Sequence, residues 1–373
     1  MSILPDLLLR TAVFLRAVLL RAGDFLRDFL RLRVVFLLRA GLLLRVVFLL
    51  RAGLRLRVED LGGGEGAVVD VPAAHHVELD PACGTGGFLT CAIEHMRQQV
   101  KSADDEQTLQ ASFMGVEKKH LPHILCTTNM LLHGIDTPAQ VRHDNTLSRP
   151  LRDYGPRDRV DVIITNPPFG GMEEDGIEAN FPATFRTRET ADLFLVLIIH
   201  LLKPGGRAAL VLPDGTLFGE GVKTRIKEKL LTECNLHTIV RLPNGVFNPY
   251  TGIKTNLLFF TKGEPTREIW YYEHPYPDGV KSYNKTKPIH IKEFKPEKQW
   301  WEKREESERA WKVSIKTIRE RNFNLDIKNP NTPEAQLGDP VKLLAQYNTL
   351  QQEIAGLRNQ LKAELIASLG EPS

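Results

Sequence analysis

The sequence predicts an α/β protein with a doubly wound, mostly parallel central sheet. Three observations favour this class. From residue 77 onward, short apolar strand-like runs alternate with longer segments of helical periodicity. Two of the strand-like runs end in unusual turns, DPACGTGGFL at 80–89 and NPPF at 166–169. Because the carboxyl ends of parallel strands meet at one edge of a sheet, we expect both turns to open onto one crevice.

Each element follows from local pattern. Apolar runs of three to eight residues, several rich in β-branched side chains, predict strands at 77–79, 112–116, 139–142, 160–165, 207–212, 238–242, 255–261 and 268–272. Apolar residues at three-and-four spacing predict helices at 88–96, 119–132, 191–202 and 222–233. Asn248–Gly252 lies between two of these strands, so a hairpin connection is one interpretation of that stretch.

Charge and cysteine usage exclude some classes of site. The 49 basic and 46 acidic residues leave a net charge of +3, which alone neither favours nor excludes a nucleic-acid partner. The four cysteines form no CxxC pair, so we predict neither a metal site nor a disulfide framework. A reducing cytoplasmic location fits this usage.

The start of the chain differs from the rest. RVVFLLRAGL occurs at 33–42 and again at 45–54, and residues 1–57 carry eleven Arg and three Asp. No Arg-free run after Arg10 approaches the roughly twenty apolar residues of a membrane span, and a signal peptide is excluded for the same reason. We interpret residues 1–60 as a low-complexity Leu/Arg repeat and not a native domain, consistent with repetitive DNA fused to a truncated gene.

The glycine-rich turn is suited to holding a ligand. Gly84, Gly86 and Gly87 allow a tight turn and a close approach to the backbone where a Cβ would obstruct it. Peptide N–H groups at the start of the next helix then face that ligand. Alone, such a turn would indicate only a strand-to-helix connection; the NPPF turn downstream makes a shared site the stronger hypothesis.

These two motifs together resemble the adenine-N6 DNA methyltransferases, and specifically the modification (M) subunit of type I restriction-modification systems. The resemblance runs from about Val77 to the C-terminus and includes LVLPDGTLF (210–218), RLPNGVFNPYTGIKTNLLFF (241–260) and NLDIKNP (324–330). It also matches Asn248–Gly252 to the loop that lies near the target base in this family. It implies a Rossmann-like sheet of the S-adenosylmethionine-dependent type with a helical C-terminal tail. The implied activity is transfer of a methyl group from S-adenosylmethionine to N6 of adenine in DNA.

The resemblance also implies a set of cofactor-binding residues. S-adenosylmethionine carries a sulfonium and an ammonium group, and a carboxylate beside them is electrostatically favourable. Asp80 would supply that carboxylate. Glu117 ends the second strand and would bind the ribose hydroxyls, although it could instead be a solvated residue opening a helix. Asp144 would accept from the adenine amino group, although Asx residues also favour turns. The full set is Asp80, Pro81, Ala82, Gly84, Thr85, Gly86, Gly87, Glu117, Asp144 and Asn145.

The catalytic residues implied are Asn166, Pro167, Pro168 and Phe169. The Asn166 side-chain oxygen and the Pro167 carbonyl would accept both N–H bonds of the adenine amine and expose its lone pair. Two prolines fix φ and hold these acceptors rigidly. Phe169 would stack on a base extruded from the duplex. The alternative is that NPPF is only a turn after a strand.

The remaining regions suggest assembly. We predict a catalytic domain at 61–275, a packed C-terminal extension at 276–335 and an amphipathic helix at 336–373. Apolar residues from Leu343 to Leu369 recur at three-and-four spacing, giving one seam that needs a partner. The resemblance implies double-stranded DNA, a specificity (S) subunit, a second M subunit and a restriction (R) subunit as partners, and no membrane. The alternative is that the helix packs on its own core.

Two other functions remain open. The helical domain and the GxxFTP-like stretch that M subunits place before the glycine-rich turn are not recognisable in residues 59–72. The chain could therefore be a catalytically impaired, N-terminally truncated M subunit that acts only in assembly. It could also be an amino-group methyltransferase acting on protein, since such enzymes share the NPP turn but usually end it in Tyr.

Overall fold

The computed structural model describes residues 77–169, 171–248, 250–284, 286–331 and 340–369. The predictions for residues 1–60 and for the stretch at 59–72 lie outside the described residues. The chain divides into two compact units, one ending at Asn329 and one beginning at Pro330. Each unit is described by itself.

In the described part of the first unit, nine strands form one sheet in the order β3-β2-β1-β4-β5-β7-β6-β8-β9. The five neighbouring strands β3, β2, β1, β4 and β5 are parallel to one another. β7 lies between β5 and β6 and runs antiparallel to both. Their bounds are β1 Glu78–Asp80, β2 Phe113–Glu117, β3 Val141–His143, β4 Val160–Thr165, β5 Leu202–Pro213, β6 Cys234–Arg241, β7 Thr255–Lys262, β8 Glu268–Glu273 and β9 Ala310–Ser314. The predicted mostly parallel α/β sheet is confirmed.

The helices of this unit lie on both faces of the sheet. They are α1 Gly87–Arg97, α2 Ala103–Ala111, α3 His120–Leu132, α4 Thr190–Leu201, α5 Asp214–Phe218, α6 Val222–Glu233, α7 Lys295–Glu302 and α8 Ile315–Glu320. Apolar residues of α1 to α3 pack with one core cluster, and those of α4 and α6 pack with the other. Helix α4 is buried along nearly all of its length, as its almost continuous apolar sequence predicts. This two-sided covering is the doubly wound arrangement.

The extension after β8 contributes more to the fold than its sequence predicts. β9 pairs antiparallel with β8 from Glu268↔Ser314 to Tyr272↔Ala310, so the extension adds a strand to the central sheet. Trp301 of α7 is also buried in the core, 4.9 Å from the ring centroid of Phe259. We predicted a packed surface extension without a strand, because Lys and Glu dominate the surrounding sequence.

The described part of the second unit is one helix, α9 Pro340–Leu369. Its described apolar side chains are exposed, among them Leu343, Tyr347, Leu350, Ile354, Leu357, Leu361 and Leu365. The helix itself is predicted correctly from its apolar spacing. Within the described residues, no helix is both long enough and apolar enough to cross a membrane.

Candidate active site

The glycine-rich turn and the NPPF turn follow neighbouring strands. β1 and β4 pair in parallel register, Leu79 opposite Ile163, so both turns leave the same edge of the sheet. The buried Thr165 hydroxyl donates to Asp80 Oδ1 at 2.6 Å and joins the two strand ends directly. The predicted common edge is therefore confirmed, and it is the carboxyl edge of the parallel strands.

Two glycines of the first turn have different functions. Gly84 (φ +54°) and Gly86 (φ +81°) both adopt the left-handed conformation that favours glycine. A Cβ on Gly86 would lie 2.7 Å from Cys126 Sγ on α3, whereas a Cβ on Gly84 would meet no heavy atom within 4 Å. Gly86 is thus required for packing, while Gly84 borders open space that a ligand could approach.

Asp80 is a buried carboxyl group at the end of β1. Burial raises its pKa to about 7, although the hydrogen bonds from the Thr165 hydroxyl and the Ala82 N–H partly oppose this shift. The carboxylates of Glu78 and Glu117 raise the pKa further. A cation bound beside Asp80 would favour the ionised form, so this position suits a positively charged ligand.

Glu117 at the end of β2 fastens the glycine-rich turn in place. Its Oε2 accepts from the Gly84 N–H at 2.9 Å, and its Oε1 accepts from the Lys119 N–H at 2.7 Å. This structural function was not predicted. Each carboxylate oxygen can accept more than one hydrogen bond, so contacts to a ribose remain possible.

Asp144 and Asn145 follow β3, which pairs with β2 at the same edge. Asp144 is exposed, its N–H donates to the Glu117 carbonyl at 3.1 Å, and its Oδ1 accepts from the Asn145 N–H. Asn145 Oδ1 accepts from the Leu147 N–H at 3.1 Å, which is a turn contact. The contact at Asn145 supports the alternative that these Asx residues serve a turn. Asp144 itself is exposed to solvent.

Sequence reasoning missed two residues that shape the cofactor side of the site. The buried Thr146 hydroxyl donates to the Pro81 carbonyl at 2.6 Å and ties the segment after β3 to the glycine-rich turn. Asn129 Nδ2 on α3 donates to the Thr85 carbonyl at 2.8 Å. A lone Thr or Asn gives no motif from which such a contact could be predicted.

In the NPPF turn, Asn166 Oδ1 is buried and has no hydrogen-bond partner among the described residues. Pro167 is buried, Pro168 is exposed and Phe169 is half-buried. A buried polar atom without a partner is costly, so this oxygen is a candidate acceptor for a ligand.

Phe169 contacts a loop from a distant strand. Its ring lies edge-on to Phe247, with ring centroids 5.4 Å apart. Phe247 belongs to the loop 242–254. This loop joins the antiparallel neighbours β6 and β7, so the hairpin interpretation of Asn248–Gly252 is confirmed. The sequence predicts a loop here but not that Phe247 reaches the NPPF turn.

Most charged side chains of the polar loop 171–189 after NPPF are paired, either within the loop or with a neighbouring segment. Lys118 Nζ lies 3.2 Å from Glu173 Oε2 and 2.9 Å from Glu174 Oε1. Glu173 is largely buried, and Arg188 forms an ion pair with Asp175. The loop therefore offers few free charges, which agrees with the mixed composition of its sequence.

Comparison with known proteins decides the family. The N-6 DNA methylase family matches residues 67–339 of this sequence. The chain belongs to the N-6 DNA methylase family. This agrees with the resemblance carried by the DPACGTGGFL and NPPF motifs.

Several of the similar proteins are subunits of type I restriction enzymes. The type I restriction enzyme EcoEI methylase subunit of Escherichia coli is 66% identical over 299 residues, covering 78% of this chain and 61% of that protein. A solved structure of the type I restriction-modification system is 35% identical, with a TM-score of 0.68 over 88% of this chain and 66% of the other. The EcoKI M protein is 28% identical, with a TM-score of 0.59 over 77% and 72%. The chain thus spans less than two thirds of the EcoEI relative's length.

Proposed function

We propose that this N-6 DNA methylase transfers a methyl group from S-adenosylmethionine to N6 of adenine in DNA. One observation carries the proposal: the glycine-rich turn and the NPPF turn leave adjacent parallel strands and are joined by the Thr165–Asp80 hydrogen bond. A cofactor held at the first turn would have its reactive end beside the second.

The residues at the first turn fit S-adenosylmethionine. Gly84 borders open space where the ligand can approach the backbone, and the buried Asp80 carboxyl suits a cationic group. Glu117 and Asp144, at the ends of β2 and β3, would hold the ribose and the adenine ring. When bound, the cofactor supplies an electrophilic methyl group on its sulfonium.

The residues at the second turn fit an amine. The unpartnered Asn166 Oδ1 and the Pro167 carbonyl would accept both N–H bonds of the adenine amino group, which concentrates the lone pair toward the methyl group. Phe169 would stack on the base, and Phe247, edge-on to Phe169, would limit how far that ring can turn. The base must leave the duplex to reach this turn.

We also propose that the chain works within a type I assembly in the cytoplasm. The seam on α9 exposes seven large apolar side chains between Leu343 and Leu365, which favours docking on helices of a specificity subunit. That subunit would choose the DNA sequence, and a second M subunit and a restriction subunit would complete the complex.

The test is methyl transfer to adenine-containing duplex DNA by the chain mixed with a specificity subunit, followed by identification of the methylated base. We expect N6-methyladenine. Asn166→Ala should lower the rate by about 10²- to 10³-fold because one acceptor of the transition state is lost. Cofactor affinity, measured by calorimetry, should stay unchanged in this variant. Undetectable cofactor binding by the wild-type chain would instead favour a catalytically impaired M subunit that acts only in assembly. Methylation of protein but not of DNA would favour an amino-group methyltransferase acting on protein.

A further inference from the structure

A lysine-rich segment leaves the same edge of the sheet as the NPPF turn. Glu273 at the end of β8 pairs in parallel register with Arg241 at the end of β6. The segment 276–292, here called the lysine loop, and the loop 242–254 therefore leave the carboxyl edge from neighbouring strands. Within the lysine loop, four lysines accompany one acidic residue, Asp278: Lys281, Lys285, Lys287 and Lys292.

The lysine loop is fastened to the loop that reaches the NPPF turn. The Tyr276 hydroxyl donates to the Asn244 carbonyl at 2.9 Å, and Asn248 Nδ2 donates to the Tyr283 carbonyl at 3.2 Å. A Cβ on Gly245 would lie 2.7 Å from the same Tyr283 carbonyl, so the two backbones are in close contact. The loop 242–254 also carries Phe247, so it contacts both the lysine loop and Phe169 of the NPPF turn.

The described backbone of the lysine loop is ordered by its own contacts. The Val280 N–H donates to the Pro277 carbonyl at 3.0 Å, closing a first turn. Asn284 Oδ1 accepts from the Lys287 N–H at 2.9 Å, closing a second. Tyr283 and Ile289 are buried and anchor the loop to the core. The exposed lysines are thus carried on a backbone that needs little rearrangement to bind a ligand.

The charges of these lysines are not neutralised locally. Among the described residues, no acidic side chain forms an ion pair with Lys281, Lys287 or Lys292, all of which are exposed. Glu293, the neighbour of Lys292 in sequence, accepts instead from the Tyr283 hydroxyl and the His290 N–H. The loop 171–189 differs, because its Glu173 and Glu174 are both paired with Lys118.

We infer that the lysine loop binds the phosphates of the DNA strand beside the extruded adenine. The inference rests on the proposed function and adds the surface that holds the substrate backbone. Unpaired ammonium groups attract a polyanion and release its counterions on binding. Phosphate contacts position DNA without choosing its sequence, which is consistent with sequence choice by another subunit. The residues proposed to bind the cofactor follow β1, β2 and β3, on one side of β4 and its NPPF turn. The lysine loop follows β8, on the other side of β4, so DNA and cofactor would approach the NPPF turn from opposite sides.

The test compares two variants of the full chain. In the first, Lys281→Gln, Lys287→Gln and Lys292→Gln are combined. The control is Lys316→Gln, an exposed lysine of α8, which begins at the opposite edge of the sheet, where the Ile315 N–H donates to the Arg267 carbonyl. Binding of a duplex of about 30 base pairs is followed by fluorescence anisotropy between about 50 and 200 mM salt.

For the triple variant we expect the slope of log K against log salt to become shallower by about 2 to 3, since each lost phosphate contact removes close to one unit. The control should keep the wild-type slope, and both variants should keep wild-type cofactor affinity. A wild-type slope in the triple variant, no duplex binding by the wild-type chain at about 50 mM salt, or tighter binding of an RNA duplex would each overturn the inference. The proposed function fails separately, through loss of cofactor binding or of methyl transfer while DNA binding remains normal.

Discussion

At the scale of single residues, the site depends on polar groups that the fold buries at a cost. Asp80 is 1% exposed, and burial raises its pKa to about 7. Asn166 keeps its side-chain oxygen buried, with no hydrogen-bond partner in the part of the chain that the structure describes. The sequence predicts both residues, because each lies in a recognisable motif next to a strand. It does not predict the hydrogen bond that links Thr165 to Asp80, because that contact joins residues 85 positions apart.

Asp80 should make stability depend on pH. Because its folded pKa lies above the unfolded value of 3.8, its protonated form stabilises the fold below pH 4, and this contribution is lost as pH rises toward and through 7. Asp80→Asn removes the titration. The thermal unfolding midpoint of the variant, relative to that of the wild type, should therefore be higher at pH 8 than at pH 5. In free energy of unfolding, the advantage of the variant over the wild type should grow between pH 5 and pH 8 by an amount on the order of a few kcal/mol. Identical midpoint differences at the two pH values would contradict this assignment.

At the scale of elements, the sequence predicts the strands and helices that have a strong local pattern and misses those that depend on tertiary contacts. β4 and α6 have the predicted bounds, Val160–Thr165 and Val222–Glu233, because an apolar run or a helical period marks each one. β9 was missed because its five residues lie in a Lys- and Glu-rich region, and its burial depends on pairing with β8. The approach of Phe247 to Phe169 was missed for a similar reason, since only the tertiary fold brings the two loops together.

The glycine-rich turn allows a matched pair of substitutions. Gly86→Ala meets both an unfavourable φ and Cys126 Sγ at 2.7 Å, so we expect a loss of about 2–3 kcal/mol of stability. Gly84→Ala meets only the unfavourable φ, so about 1–2 kcal/mol should be lost. Cofactor affinity should nevertheless fall strongly in Gly84→Ala, because its Cβ would occupy the open space. Denaturant unfolding and cofactor titration of both variants measure the two effects, and equal stability losses would contradict the packing argument.

Glu117 should support the turn as well as the cofactor. Glu117→Ala removes the acceptor of the Gly84 and Lys119 N–H groups, so the glycine-rich turn should loosen. We expect amide hydrogen exchange at Gly84 to accelerate even without cofactor, together with at least a tenfold loss of cofactor affinity, or about 1.4 kcal/mol. Glu94→Ala on α1, whose carboxylate pairs with His133, is the control. Unchanged exchange at Gly84 in Glu117→Ala would show that the hydrogen bond does not hold the turn.

At the scale of the whole molecule, the two units have different tasks in this account. The first carries the sheet, both turns and the lysine loop, and the second carries the apolar seam of α9. The boundaries predicted from the sequence lie at residues 275 and 335, whereas the first unit ends at Asn329 and includes most of the extension. The lysine loop was not predicted to bind DNA, because its sequence shows four lysines and one acidic residue but not that it contacts the loop that reaches the NPPF turn.

The seam of α9 should control assembly without affecting the site. Leu350→Glu combined with Leu357→Glu places two charges among the apolar residues that would dock on a specificity subunit. We expect complex formation, followed by sedimentation velocity with that subunit, to be lost while cofactor affinity stays the same. Gln352→Glu, off the seam on the same helix, should assemble normally. Normal assembly of the double variant would place the docking surface elsewhere.

The most direct test of the central claim is a crystal structure of the chain with S-adenosylhomocysteine bound. The account predicts that the ligand lies at Gly84 and Asp80 with its sulfur within about 5 Å of Asn166 Oδ1, the spacing needed for a methyl group to reach an amine held there. A ligand bound away from the glycine-rich turn, or one whose sulfur points away from Asn166, would contradict it.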